Sequence, residues 1–209
     1  MSEIDVVLWD IGQVLYESPF ERFGELEERT GMPDGTLPRG PFVPEGDAEY
    51  DRVDSGERDE PEYWRDIEAL ARETVPGLHL YDALRELGWE GRGRPVVIGL
   101  LADIPNRYRQ AVLTNDATKF LGEGWKESWE YAHYFERIVD SLDIGVRKPD
   151  TASYTAAVDL LGADPARVLF VDDLTANVEG ARAAGLQAFR FDTTDPAASV
   201  AGLRALLGL

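Results

Sequence analysis

The sequence predicts an α/β fold, a doubly wound parallel sheet with a helical subdomain inserted after its first strand. Three observations carry that expectation. Short unbroken apolar runs alternate with amphipathic stretches, and unbroken runs are what strands covered on both faces require, because neither side meets water. About a hundred residues without a convincing strand separate the first run from the second, far more than an ordinary βα connection holds. Three of the runs end in polar side chains, and in open α/β sheets ligands sit beyond the carboxyl ends of the strands.

The elements follow in order. Val6-Val7-Leu8-Trp9 reads as a buried strand ending at Asp10, and Ala111-Val112-Leu113 as a second ending at Thr114-Asn115. Arg137-Ile138-Val139-Asp140 is a weaker third, Val168-Leu169-Phe170-Val171 a fourth ending at Asp172-Asp173, and Ala188-Phe189-Arg190-Phe191 a fifth. Helical patterns run from Thr151 to Leu161, stopped by Gly162, and from Thr175 to Ala184, stopped by Gly185. Asp195-Pro196 reads as an N-cap with proline at the first helical position, opening a last helix to about Leu207. In the long interval Phe20–Thr30 and Pro61–Thr74 have helical spacing, while residues 31 to 46 are rich in proline and glycine. The expected organisation is a core of residues 1–16 and 91–209 with a helical cap over 17–90. Pro95–Asp103 returns the chain to the sheet as a core helix.

Composition narrows the function. The chain has 209 residues, 44% of them hydrophobic, enough for one large domain or a core with a smaller insert. No apolar run approaches the roughly 18–20 residues that span a bilayer. The first five residues carry acids where a secretory leader would carry Lys or Arg. There is no Cys, hence no disulfide framework and no thiolate metal site. A cytoplasmic protein is expected. Forty acids against 21 bases give a net charge of −19, which repels nucleic acid and anionic membranes. The bases include only three lysines, Lys119, Lys126 and Lys148. So acidic a balance fits a salt-rich cytoplasm, where screening acts over a few Å. A GC-rich genome would explain the scarce lysines but not the excess of acids. In either case an anionic substrate needs positive charge gathered locally.

The polar strand ends are where that charge is required. Asp10, Thr114 with Asn115, and Asp172 with Asp173 would meet at one edge of the sheet, and clustered carboxylates repel one another unless a cation lies between them. Oxygen ligands without Cys or a His cluster select Mg²⁺ over zinc. Lys148 lies in Gly145-Val146-Arg147-Lys148-Pro149-Asp150, where Pro149 disfavours helix at the lysine, so a short loop can aim its ammonium back at the strand ends. Taken singly these residues have plainer readings: a turn cap for Asp10, an N-cap pair for Asp172-Asp173, a strand-end hydroxyl for Thr114, a solvated loop lysine for Lys148. Gln13 reads as a turn residue, and Asn177 as a loop fastener. Trp125, Trp129, Tyr131, Tyr134 and Phe135, like Tyr50, Tyr63 and Trp64, read as packing.

The order of these residues resembles the four motifs of the haloacid dehalogenase-like hydrolases. Asp10 follows a strand, Thr114 a second, Lys148-Pro149 a helix-opening loop, and Asp172-Asp173 a further strand. The stretch 147–186 is especially close, with Val171-Asp172-Asp173, Asn177 and Glu179-Gly180-Ala181-Arg182-Ala183-Ala184-Gly185. The insert is similar to that family's helical cap, with Gly56 and Tyr63-Trp64 matching its turn-then-aromatic pattern. The resemblance implies a Rossmann-like core and a Mg²⁺-dependent phosphatase acting on a small phosphorylated metabolite. It implies that Asp10 attacks phosphorus, that Asp10, the Gly12 carbonyl and Asp173 hold Mg²⁺, and that Asp172 is a further ligand or acts through water. It also implies that Thr114 and the Asn115 amide bind phosphate oxygens while Lys148 pairs with Asp10 and the phosphoryl group.

One position departs from the pattern. The usual phosphatase carries a second Asp two residues after the nucleophile as general acid/base, and this chain has Gly12 there. The Asp-x-Gly form resembles a branch that includes a sugar-1-phosphate phosphatase, where a good leaving group lessens the need for an acid. Two rivals share the fold. A 2-haloacid dehalogenase needs neither a proton donor nor a metal, but leaves the Asp172-Asp173 pair without a task. A weak binding protein would have lost turnover with the missing Asp.

Overall fold

The computed structural model describes residues 3–89, 93–105, 107–115 and 117–209. Its five strands are β1 (Val6–Trp9), β2 (Arg109–Thr114), β3 (Arg137–Asp140), β4 (Val168–Asp172) and β5 (Gln187–Arg190). They form one parallel sheet in the order β3-β2-β1-β4-β5. β1 is central, and every residue of β1 and β4 is buried, as strands covered on both faces should be. The order builds outward from β1 to β3 and then restarts on the other side with β4. The topological switch point therefore lies between β1 and β4, where a crevice forms at the carboxyl ends.

The chain divides into two compact units, residues 1–15 with 93–209 and residues 16–92. The expected boundary at 90–91 falls outside the described residues.

The second unit is helical. A tight 3-10 turn over Pro19–Arg22 precedes α1 (Phe23–Thr30), so the run expected as one helix from Phe20 is broken in two. The Ser18 hydroxyl accepts from Phe20 N and Glu21 reaches back to Ser18 N (2.6 Å), a capping box that holds the tight turn. α2 (Ala48–Asp54), α3 (Glu60–Thr74) and α4 (Leu80–Glu86) follow, and α3 begins one residue before the expected Pro61. The core of this unit gathers on Phe20, whose ring lies 5.0–6.1 Å from those of Phe23, Tyr50, Tyr63 and Trp64. That is the packing role expected of the last three.

A buried carboxylate ties down the proline-rich segment of this unit. Glu27 accepts from Leu37 N (2.6 Å) and Gly35 N (3.1 Å) and pairs with Arg39, with 2% of its side chain exposed. Burial pushes its carboxyl up, but Arg39 and the two backbone donors outweigh burial and hold it below the ordinary 4.5. A carboxyl depressed in the folded state adds stability above its unfolded pKa and loses it as pH falls through the folded value. Unfolding of the wild-type helical unit is therefore expected to become easier below about pH 4.5. Glu27→Gln should lower stability near neutrality by ~3 kcal/mol and remove that share of the acid sensitivity. Urea unfolding at two pH values, read through the tryptophans of this unit, checks both; equal midpoints for the two proteins would contradict the assignment.

The first unit carries the remaining helices: α5 (Pro95–Asp103), α6 (Ala117–Leu121), α7 (Trp125–Ser128), α8 (Ser141–Ile144), α9 (Thr151–Leu161), α10 (Thr175–Ala183) and α11 (Pro196–Leu207). Alternate residues of the strands face α9 and α10, where Val6, Leu8, Ala111, Leu113, Val168 and Phe170 pack with Tyr154, Ala157, Val158 and Ala181. Gln110 points to the opposite face and donates to the Leu101 carbonyl of α5 (3.1 Å), and α5 packs on α11. Asp195 caps α11 by accepting from Ala198 N (2.9 Å). The aromatic segment after β2 is packing too: Trp129 stacks on Phe135 at 5.3 Å and meets Trp125 edge-on at 5.4 Å. No helix among the described residues is long and apolar enough to cross a membrane.

Candidate active site

Three adjacent strands deliver their last residues to one place. Asp10 directly follows β1, its N–H donating to the Val171 carbonyl of β4 (2.9 Å) and so extending the ladder by one step. Thr114 ends β2 and Asp172 ends β4, with Asp173 next. All four are buried. Asp10, Asp172 and Asp173 each offer a ligand atom within 4.8 Å of the others, a spacing that one divalent cation can bridge.

Lys148 lies among these carboxylates. Its ammonium donates to Asp10 Oδ1 and to Asp172 Oδ2, both at 2.7 Å, with 1% of its side chain exposed. It also stands 5.3 Å from the centre of the Phe170 ring, a cation–π contact in a dry setting. Burial alone would lower the lysine's pKa, but Asp10 and Asp172 together drive it well above its ordinary value, so the ammonium stays charged. Burial pushes the Asp10 carboxyl up; Lys148 opposes and Asp172 adds to the rise, leaving it at about 7. Three acids face one ammonium here. The excess of negative charge is what a bound cation would relieve.

Asp172 is saturated. Its Oδ1 accepts from Leu174 N (2.9 Å) and Asn177 Nδ2 (3.0 Å), and its Oδ2 accepts from Asn177 Nδ2 (3.1 Å) besides Lys148. The plainer reading of Asp172-Asp173 as the N-cap pair of the following helix does not hold. Leu174 is the N-cap of α10 and has no side-chain cap, while Asp172 accepts from the Leu174 N–H.

Asn115 likewise has a partner not foreseen. Its carboxamide accepts from Lys148 N (3.0 Å) and donates to the Lys148 carbonyl (3.1 Å), so the side chain holds the lysine's backbone rather than pointing at a phosphate. Asn177 fastens structure as expected. Arg94 was also missed: nearly buried, it donates from Nε to the Gln13 carbonyl (3.0 Å) and from its N–H to Leu15 O (2.7 Å). It thereby grips the turn after Asp10, where Gln13 has φ 58, a conformation that costs a non-glycine residue of order 1–3 kcal/mol. An Arg before Pro95 at a helix start was the only signal in the sequence.

Gly12, two residues after Asp10, is not required by its backbone conformation. Its φ lies outside the left-handed region, and a Cβ there would meet nothing closer than Asp10 Oδ2 at 3.6 Å. Gly180 is different. A Cβ there would lie 2.4 Å from the Pro149 carbonyl oxygen and 3.1 Å from Tyr154 Cε2, so glycine is what lets α10 approach the Lys148–Pro149 turn. Gly180→Ala is expected to destabilise by about 1–3 kcal/mol through overpacking; a wild-type midpoint in urea would contradict this close approach.

A family model described as haloacid dehalogenase-like hydrolase matches residues 4–185. The chain belongs to that family. It is 28% identical over 208 residues, 97% of its length, to mouse acyl-CoA dehydrogenase family member 10, of which the match covers 19%. It is 30% identical over 129 residues to a phosphatase of Mycobacterium tuberculosis, covering 60% of this chain and 59% of that one. The match thus spans less than two thirds of the length of each of these relatives. Among solved structures, a haloacid dehalogenase-type hydrolase of Bacillus subtilis, bound to magnesium, shares the fold over the whole of both chains with a TM-score of 0.66 and 16% identity. An enzyme of the family from Bacteroides thetaiotaomicron, an Asp-to-Ala mutant in complex with magnesium and inorganic phosphate, shares it at TM-score 0.54 and 20% identity, over 91% of this chain and 95% of that one.

Proposed function

We propose that this hydrolase is a cytoplasmic phosphatase that cleaves a small phosphorylated metabolite through an aspartyl-phosphate on Asp10. The observation that carries the reading is the Lys148 ammonium bridging Asp10 and Asp172, with Asp173 completing a buried three-carboxylate cluster. A dehalogenase would need the nucleophile and the lysine but not the additional acid. Further support comes from the phosphatase among the relatives and from the magnesium and phosphate bound in a fold neighbour.

The donor set fits Mg²⁺: oxygen ligands only, buried, and carrying more negative charge than Lys148 neutralises. Asp10, Asp173 and the Gly12 carbonyl would hold it, Asp172 acting at most through water because its oxygens are already engaged. Bound there, the ion would offset charge on the phosphate and on the carboxylates. The chain's own groups do the remainder. The Asp10 carboxylate attacks phosphorus, the P–O ester bond breaks, and its electron pair leaves on the alcohol oxygen, which takes a proton from water. Lys148 holds Asp10 aligned and ionised and balances charge on the transferring group. Thr114 and the Asn115 N–H bind phosphate oxygens. Water then displaces the carboxylate at phosphorus, releasing phosphate and restoring Asp10.

The test is hydrolysis of p-nitrophenyl phosphate and of a panel of phosphorylated metabolites, with Mg²⁺ and with excess chelator. Turnover that requires Mg²⁺ is expected. Full activity in chelator, or release of halide from a 2-haloacid in place of phosphate release, would overturn the reading.

A further inference from the structure

A lysine is an unpromising group to place accurately. Its ammonium rides on four rotatable methylenes and makes no fork of fixed geometry, unlike an arginine. Lys148 is nonetheless held at both ends. At the backbone, Asn115 bonds both the N–H and the carbonyl of the lysine's own residue, across 33 positions of sequence. At the ammonium, Asp172 accepts one hydrogen bond, and Asp172 is itself fixed by the Leu174 N–H and by Asn177 Nδ2, which reaches both of its oxygens. Asn177 is anchored in turn, since its carbonyl accepts from the Tyr154 hydroxyl (2.7 Å), and Tyr154 belongs to α9, the helix that follows Lys148. Asn115 directly follows β2, and Asn177 lies in the first turn of α10, the helix after β4; β2 and β4 are the two strands that flank β1 and Asp10.

We propose that Asn115 and Asn177 are positioning residues for hydrolysis, two carboxamides that aim the Lys148 ammonium at Asp10, one from just past β2 and the other from the first turn of α10. Neither side chain need touch the substrate. Asn115 fixes where the lysine stem starts, and Asn177, through Asp172, fixes where it ends. Without the first, the stem starts from a mobile peptide. Without the second, Asp172 can rotate and draw the ammonium away from Asp10. The proposal rests on the phosphatase reading for its kinetic consequence, but not for its geometric one.

The test uses the full chain with Asn115→Ala and Asn177→Ala. Because the sequence has only three lysines, the ammonium of Lys148 can be followed directly by nitrogen–proton NMR, assigned by its loss in Lys148→Met. Its burial protects the ammonium protons from exchange with water. In the wild type one sharp, protected signal is expected. In each variant that signal should shift and broaden, while kcat for p-nitrophenyl phosphate with Mg²⁺ falls roughly ten- to a hundredfold. KM should change little, and both variants should remain folded at the assay temperature although their thermal midpoints fall with the lost buried hydrogen bonds, a split that simple loss of folded protein does not give. An unmoved Lys148 signal in both variants overturns the proposal, whatever the activity does. So does a loss of activity that only follows a loss of folded protein. If the wild type hydrolyses no phosphate ester, the phosphatase reading falls on that result alone, and the NMR arm still decides whether the two carboxamides hold Lys148.

Discussion

Asp10→Asn is expected to abolish phosphate ester hydrolysis, with a loss of at least ~10⁴-fold in kcat. The amide keeps the shape of the carboxylate but is neither a nucleophile toward phosphorus nor an anionic metal ligand. The loss should not come from misfolding. Asp10 is buried beside Asp172, and its carboxyl is pushed up to about 7 by that burial. A group whose pKa is raised in the folded state opposes folding at pH values above its unfolded pKa. Removing its charge relieves a buried carboxylate but also takes away one of the two acceptors of the Lys148 ammonium, so the metal-free variant should remain folded near pH 7 with Lys148 still paired to Asp172. Activity and thermal unfolding measured on the same preparations check the two halves. Turnover retained in the variant would remove Asp10 from the mechanism, and a marked drop in stability would mean that the Lys148–Asp10 pair serves chiefly to hold the fold.

The second large effect concerns Gly12. With no carboxyl two residues after the nucleophile, nothing at that position can protonate the departing oxygen, and lost general acid catalysis typically costs about 10²–10⁴-fold. Rates across a series of substrates should therefore fall steeply as leaving-group pKa rises, with aryl, anomeric and acyl phosphates favoured over alkyl ones. Gly12→Asp should flatten that dependence and raise the rate for alkyl phosphates within the same range. The structure makes this variant a fair test. Gly12 does not occupy the left-handed region, and a Cβ there meets only Asp10 Oδ2, at the ordinary contact distance of 3.6 Å. Metal affinity of the variant, measured alongside, shows whether the Gly12 carbonyl has moved. A wild-type rate indifferent to leaving-group pKa would show that some other group delivers the proton.

The fold and the first row of site residues were legible in the sequence for one physical reason. Strands buried on both faces must be apolar throughout, so polar residues can gather only where each strand ends, and the chain marks those ends at Asp10, Thr114, Asp172 and Asp173. The flanking stops were equally plain, with Gly162 closing α9 and Asp195-Pro196 opening α11. The next row was not legible. Asn115 bonds the Lys148 peptide and Arg94 bonds the Gln13 carbonyl, and every residue has the same peptide group, so such partners leave no trace in side-chain pattern. The helices α2 and α4 were missed because each is seven residues long with two buried apolar or aromatic side chains, Tyr50 and Val53 in one, Leu80 and Leu84 in the other. That is too little to show a period. Conversely, nothing in the sequence separates a glycine required by its backbone from one that is not, and only the geometry shows that Gly12 is of the second kind.

The same absence at Gly12 makes the central claim open to direct measurement. A good leaving group relieves the first step of its need for an acid, but the second step, attack of water on the aspartyl-phosphate, has no base at that position to assist it. The covalent intermediate should therefore build up during turnover of an acyl or aryl phosphate. Acid-quenching the wild-type protein in steady state with Mg²⁺, then locating the phosphoryl group by mass spectrometry of its peptides, is the decisive measurement. The account predicts one phosphoryl group, on Asp10, absent from Asp10→Asn and lost once substrate is exhausted. Phosphate released with no phosphoryl group on Asp10, or with the group on another residue, would contradict it.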